Sequence, residues 1–181
     1  MSAKIIAGPQ EPVVSIEEAR TAARVNGTDM DSEIMIRVAA LTVEAEHIIG
    51  QAIINRTYQI TLPRFPASIQ VPALPFGAVG EILYRDIDGA EQTLTPDVYT
   101  VDHSLAVPEV IPAEGLEWPA TKEHREAVKV TFVIGHGADS ASTPAAFKGY
   151  ILAKVREYFA PAGTLESPHL IRGLDSLKAH L

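Results

Sequence analysis

Hydrophobic positions in the first third of the chain recur at helical spacing. Ser15-Ile16-Glu17-Glu18 has the pattern of a capping box, with Ser15 as the N-cap of a short helix that ends before Asn26-Gly27. Asp31 is the predicted cap of a longer helix, which runs to about Ala52. The apolar stripe of this longer helix comprises Ile34, Val38, Leu41, Ala45, Ile48 and Ala52. The pattern therefore predicts a helical N-terminal region.

The longer helix also has a second apolar side. Ile36, Ala39 and Val43 fall roughly opposite the stripe, and one flank is filled by charged residues, namely Glu33, Arg37 and Glu44. A helix that is apolar on two sides packs against a partner on each of them. We therefore predict that Ile36 and Val43 lie at a subunit interface or against another element of the chain, and a subunit interface is favoured because the chain is small.

Between about Asn55 and Gly137 the hydrophobic pattern changes to that of strands. The clearest alternation is in Val128, Val130, Phe132 and Ile134, and Asp88-Gly89 has the composition of a hairpin turn. Prolines separate the apolar segments, as is typical of connections between strands. Helical spacing then returns, with Thr143 as the predicted N-cap and Pro144 at the first helical position.

These elements predict an α+β protein. Two N-terminal helices and one C-terminal helix form a small helical bundle, which carries an inserted antiparallel β-sheet and an extended C-terminal tail. We expect residues 1–54 and 143–164 to form the helical body, 55–142 the β domain and 165–181 the tail. The tail either caps the body or docks on another protein. Its apolar and basic residues are Leu170, Ile171, Arg172, Leu174, Leu177, Lys178 and Leu181.

Composition and charge narrow the possible functions. The chain has 181 residues and no cysteine, which excludes a disulfide scaffold or a cysteine nucleophile and favours a cytoplasmic origin. We expect no membrane-spanning segment, because charged residues interrupt the longest apolar run. The net charge is −8, so the body is not suited to hold nucleic acid by releasing counterions, although DNA could pass beside it.

The loop at residues 135–140 is the most enzyme-like stretch. It contains His136, Asp139 and Ser140, which would serve a small serine/histidine hydrolase, but it lacks the Gly-x-Ser-x-Gly elbow. We interpret it instead as a hinge where the strand ends. Asp29, Asp31 and Glu33 resemble a calcium loop without its turn glycine. We therefore predict no enzyme, no cofactor and no metal, and keep the hydrolase and a monomeric ligand-binding β module as alternatives.

The order of the segments resembles a known family. The chain runs through "VSIEEARTAARV", "DSEIMIRVAALTVEAEHIIGQAI", "NRTYQITLPRFP", "IQVPALPFGAVGEILYRDIDGAEQTLTPDVYTVD", "LEWPATKEHREAVKVTFVIGHG" and "TPAAFKGYILAKVREYF". Over about residues 13–160 this order resembles the head-to-tail connector, or adaptor, proteins of long-tailed bacteriophages and phage-derived gene transfer agents. The "WPA" followed by the alternating strand contributes most to the resemblance.

The resemblance implies a structural protein of the virion neck, made in the bacterial host cytoplasm. Such a protein forms a ring, twelvefold in the family, under the portal of the capsid. There it extends the DNA channel and joins the next neck component, a stopper or tail terminator. The resemblance assigns the tail to the portal, and DNA passes through without specific binding. Trp118 is predicted to anchor either the edge of the sheet or a subunit contact.

Overall fold

The computed structural model describes residues 2–161 together with Leu174 and Lys178. Contacts within the chain divide it into two compact units. Among the described residues, the sheet unit comprises 2–8 and 56–134, and the helical unit comprises Pro9–Asn55, 135–161, Leu174 and Lys178. The α+β class predicted from the sequence is confirmed, because the described residues form both helices and antiparallel sheets.

The sheet unit is formed by antiparallel strands. They are Ser2–Ala7 (β1), Arg56–Leu62 (β2), Ile69–Gln70 (β3), Phe76–Arg85 (β4), Glu91–Thr93 (β5), Tyr99–Asp102 (β6), Glu109–Pro112 (β7) and Val128–Ile134 (β8). A five-stranded sheet has the order β1-β2-β8-β4-β5, and a three-stranded sheet has the order β3-β7-β6. The long strand β8 therefore lies at the centre of the larger sheet.

The alternation in β8 is confirmed as the signature of a strand with one buried face. Val128, Val130, Phe132 and Ile134 are all buried, while the residues between them are only half-buried. Hydrogen bonds pair β8 with β2 on one side and with β4 on the other. The predicted hairpin turn is also present, with Gly89 at φ 90°, a left-handed conformation that favours glycine.

The helical unit contains three helices among the described residues: Ile16–Ala23 (α1), Asp31–Ile49 (α2) and Ala145–Tyr158 (α3). The predicted capping box starts α1: Ser15 Oγ accepts the Glu18 N–H at 3.2 Å, and the Ser15 N–H donates to the Glu18 carboxylate at 2.8 Å. All three helices contribute to one core, whose largest fully buried side chains include Ile34, Phe147 and Ile151.

The helix ends differ from the predicted ones by a few residues. Asp31 is the first residue of α2 rather than its cap, because its carboxylate accepts hydrogen bonds from Arg20. This helix stops at Ile49, short of Ala52, because Gly50 adopts a left-handed conformation at φ 72°. Thr143 does not cap α3, since its buried hydroxyl donates to the Asp139 carbonyl at 3.3 Å, and the helix begins after Pro144.

The two units also have other boundaries than expected. Strand β1 pairs with β2, so residues 2–8 belong to the sheet unit although the sequence placed them with the helices. The run Lys4-Ile5-Ile6-Ala7 has no clear alternation, and the strand is held by a partner that lies fifty or more residues away. At the other boundary, the loop that begins at Gly135 belongs to the helical unit.

Candidate assembly surfaces

The outward face of α2 is apolar and exposed. Ile36 is 72% exposed and Val43 is 67% exposed, whereas Ile34 and Val38 on the other side of the helix are buried. The outward α2 face consists of Ile36, Ala39, Ala40, Val43 and His47, all of which are exposed. It therefore presents two aliphatic side chains beside two alanines and a histidine. It contains no aspartate, glutamate, lysine or arginine.

Contacts along the flank of α2 fix the direction of this face. The Arg37 guanidinium lies 3.6 Å from the centre of the Tyr158 ring on α3. The Tyr150 hydroxyl donates to the Glu44 carboxylate at 2.6 Å, and burial, together with this carboxylate, raises the pKa of Tyr150. These polar contacts hold the flank of α2 against α3. The sequence predicted that these charges form a flank, but it did not identify their partners.

The loop from Gly135 to Gly137 is bound to the segment that follows α2. The His136 N–H donates to the Ile53 carbonyl at 2.9 Å, and the Asn55 N–H donates to the Gly137 carbonyl at 2.8 Å. Gly135 adopts φ 145°, and a Cβ there would lie 2.6 Å from the Asn55 nitrogen. A Cβ on Gly137 would lie 1.9 Å from the Ser142 Cβ. Both glycines are therefore required by close packing, Gly135 against the backbone of Asn55 and Gly137 against the side chain of Ser142.

The side chains of this loop do not form a hydrolytic triad. The Asp139 carboxylate accepts hydrogen bonds from the hydroxyl and the backbone N–H of Ser142, and these bonds lower the pKa of Asp139. The His136 ring lies 5.3 Å from the Phe147 ring, and burial lowers the pKa of this histidine. The carboxylate thus binds Ser142 rather than His136. The structure does not bring His136, Asp139 and Ser140 together as nucleophile, base and orienting acid.

Trp118 packs inside the sheet unit. Its ring stacks on Phe65 with centroids 4.8 Å apart and planes 8° from parallel, and Phe65 also contacts Tyr84 at 5.7 Å. The indole N–H is buried and has no hydrogen-bond partner. The structure therefore places Trp118 in an aromatic cluster beside β4. Whether it also contacts a neighbouring subunit stays a prediction.

Of the seven tail residues predicted to dock, the structure describes Leu174 and Lys178. Leu174 is fully buried and belongs to the core of the helical unit. This position differs from the predicted one, because a leucine in the chain's own core is not a surface contact for the portal. Leu170, Ile171, Arg172, Leu177 and Leu181 lie outside the described residues.

Neither a metal cluster nor a membrane-spanning helix is found in the described part of the chain. No group of three or more acidic, histidine or cysteine side chains is arranged there to hold a metal ion. Within the calcium-like stretch, the carboxylate of Asp31 is bound to Arg20. No helix among the described residues is long and apolar enough to cross a membrane.

Comparison with known proteins gives matches among solved structures. A chain from the neck of an empty gene transfer agent (GTA) particle, computed with C6 symmetry, aligns with a TM-score of 0.74 and 16% identity, covering 99% of this chain and 96% of that chain. The chain shares its fold with a GTA neck protein. A chain of the native GTA virion gives a TM-score of 0.70 at 17% identity, and one from the native neck, computed with C12 symmetry, gives 0.66 at 16%, with the same coverage.

The likeness to GTA chains confirms, at the level of the fold, the connector resemblance predicted from the sequence. It extends over both units, since the alignments cover nearly the whole of each chain. No family model matches the sequence, and no curated protein matches it.

Sequence reasoning did not identify two surface features. The edge strand β1 exposes Ile5 and Ile6, at 50% and 46%. An open groove lies between α1 and α3, lined in part by Ala22 and Leu152. The apolar run at Ile5-Ile6 was a possible signal for the first feature. No local signal could have revealed the second, because its walls come from residues about 130 positions apart.

Proposed function

We propose that this protein is a structural component of the neck of a phage or gene transfer agent particle, and not an enzyme. The observation that supports this function best is the full-length likeness to chains from GTA necks, which covers 99% of this chain. The exposed aliphatic residues of α2 agree with it, because a large apolar patch on a soluble protein is typical of an interaction site.

In this proposal the subunits form a closed ring under the portal, twelvefold as in the family it resembles. The ring joins the capsid to the next neck or tail protein and extends the channel through which DNA passes. The net charge of −8 suits this task, since an acidic wall repels phosphates and does not retain the DNA. The outward α2 face, with Ile36 and Val43, supplies one side of the contact between subunits.

The C-terminal tail is proposed to bind the portal. Leu174 would fasten it to the helical unit, where this residue is buried in the core. Leu170, Ile171, Arg172, Leu177, Lys178 and Leu181 remain the proposed contacts. The basic side chains of Arg172 and Lys178 among these contacts would favour a partner surface that offers carboxylates.

The mass of the assembled species tests the ring. Native mass spectrometry and electron micrographs of the protein, alone and mixed with the portal of the same particle, should show a ring in at least one of the two samples. The variant Ile36→Asp with Val43→Asp should stay folded, because both side chains are exposed in the single chain. It should not form the ring, since an unpaired carboxylate buried at a contact costs several kcal/mol.

A matched control separates this effect from added charge alone. Ile87→Asp introduces a carboxylate at a similarly exposed isoleucine, 68% exposed, on the turn between β4 and β5. We expect Ile87→Asp to form the ring as the wild-type protein does. A wild-type protein that stays monomeric both alone and with the portal would contradict the proposed ring, and a double variant that forms rings would contradict the assigned face.

A further inference from the structure

An open groove of about 370 Å³ runs between α1 and α3. Its apolar lining is formed by Ala22 of α1 and by Leu152 and Ala153 of α3. Its polar lining comprises Arg24, Arg156, Thr21 and Glu18, and the Glu18 carboxylate is paired with Lys148. The α1–α3 groove thus combines small aliphatic side chains with basic groups. Such a lining fits an apolar helix that brings carboxylates with it.

The two arginines of the groove are not committed elsewhere in the described part of the chain. Neither guanidinium makes an ion pair there, whereas nearby Lys148 is paired with Glu18 at 2.9 Å. Arg24 is the C-cap of α1 at φ 57°, and its backbone N–H donates to the carbonyls of Arg20 and Thr21. Its backbone is therefore fixed while its side chain remains exposed.

The α1–α3 groove and the outward α2 face lie on opposite sides of the helical unit. Ile151 and Val155 of α3 point into the shared core, and Ala153 lies about 200° around the helix from Ile151 at 100° per residue. On α2 the core side is formed by Ile34 and Val38, and Ile36 is turned away from it. Because all three helices surround one core, the groove faces away from α2, and the outward face of α2 points away from the groove.

We propose that the outward α2 face of one copy of this chain binds in the α1–α3 groove of the next copy. The proposal rests on the ring proposed above and identifies both sides of its subunit contact. Two different patches on opposite sides generate head-to-tail association, which gives a ring when the rotation between successive copies closes, whereas a single self-complementary patch stops at a dimer. The small residues of the groove receive the aliphatic side chains of Ile36 and Val43.

Charge complementarity orients the two helices. Asp29 and Glu33 are exposed at the start of α2, on the same end of the helix as Ile36. Asp29 is the first of the two to reach a neighbour, since the Glu33 carboxylate also accepts the Tyr158 hydroxyl of its own chain at 3.4 Å. Arg156 lies near the end of α3, one turn beyond Ala153. An antiparallel arrangement of α2 against the neighbour's α3 therefore brings Ile36 onto Ala153 and the carboxylates toward Arg156.

Disulfide crosslinking tests this contact, and the absence of cysteine from the chain makes the test clean. The double variant Ile36→Cys with Ala153→Cys should give, under oxidising conditions, a ladder of covalent multimers that extends beyond the dimer and disappears on reduction. Each single variant should give little crosslinked product. A disulfide needs Cβ atoms about 4 Å apart, so only a close contact between these positions produces the ladder.

Controls make each outcome decisive. Ile36→Cys with Leu152→Cys provides a second pair in case the geometry at Ala153 disfavours a disulfide, and Ile36→Cys with Glu123→Cys should give no ladder. Crosslinked dimers from Ile36→Cys alone would indicate a symmetric α2–α2 contact and overturn the proposal. Wild-type rings whose paired-cysteine variants give no ladder would also overturn it while leaving the proposed function intact. Failure of the wild-type protein to form any ring would instead contradict the proposed function.

Discussion

Replacing Leu174 by alanine is expected to destabilise the helical unit. The side chain is fully buried in a core that includes Phe147, Ile151 and Val155. Leucine-to-alanine changes at such positions cost about 2–5 kcal/mol, which combines the lost burial with the cavity left behind. For a domain of this size each kcal/mol lowers Tm by about 2–4 °C, so a cost of about 3 kcal/mol lowers it by about 6–12 °C.

Thermal unfolding followed by circular dichroism provides the measurement, and Leu105→Ala provides the matched control. Leu105 is 56% exposed, so the same deletion of atoms there should change stability by no more than about 0.5 kcal/mol. Equal Tm values for the two variants would refute the assignment of Leu174 to the core. The same reasoning predicts that truncation after Gly163 destabilises the body, because it removes Leu174, in addition to abolishing portal binding.

The remaining predictions concern the loop after β8 and the start of α1. Gly137→Ala should destabilise the protein by about 1–3 kcal/mol through overpacking, while Gly149→Ala, on an exposed helical position with open space around it, should stabilise it by about 0.5–1 kcal/mol in urea unfolding. Hydrogen bonds, the strongest from Lys148, lower the pKa of Glu18 below 4.5. The stability lost in Glu18→Gln should therefore be fully apparent above pH 4.5 and vanish as the pH falls through the lower folded pKa. His136→Ala should leave ring assembly unchanged by native mass spectrometry, and loss of particle function with intact rings would contradict its structural role.

The parts of the fold that the sequence predicted are those encoded by local patterns. A strand with one buried face alternates every second residue, so Val128 to Ile134 was identifiable without knowledge of its neighbours. The capping box requires only Ser15 and Glu18, three positions apart. The outward position of Ile36 followed in the same way from the helical period. Each of these features depends on residues within a few positions of one another.

The features that the sequence did not predict depend on distant contacts. Ser2–Ala7 becomes a strand because β2 offers an edge to it, and nothing within its six residues distinguishes it from a short apolar linker. Leu174 is buried in a core formed by α1, α2 and α3, two of which lie more than 120 residues before it, so the spacing of leucines in the tail could not show which of them joins the core. Aspartate is a common helix cap, but the Asp31 carboxylate binds Arg20 of the preceding helix instead of the N–H groups at the start of α2.

The contrast between polar groups that have partners and surface groups that lack them supports the proposed role in assembly. Catalysis needs a base within hydrogen-bond reach of a nucleophile, with both groups open to a substrate. In the loop after β8 the Asp139 carboxylate is bound by Ser142 and not by His136. The groups that still lack partners among the described residues are of another kind: aliphatic side chains such as Ile36 on one side of the helical unit, and Arg24 and Arg156 on the other. Apolar patches and guanidinium groups recognise protein surfaces without transforming them. The two sets face in opposite directions. When two copies bind through one surface of each, each copy still has one unused surface that can bind a further copy, and this allows a repeating assembly.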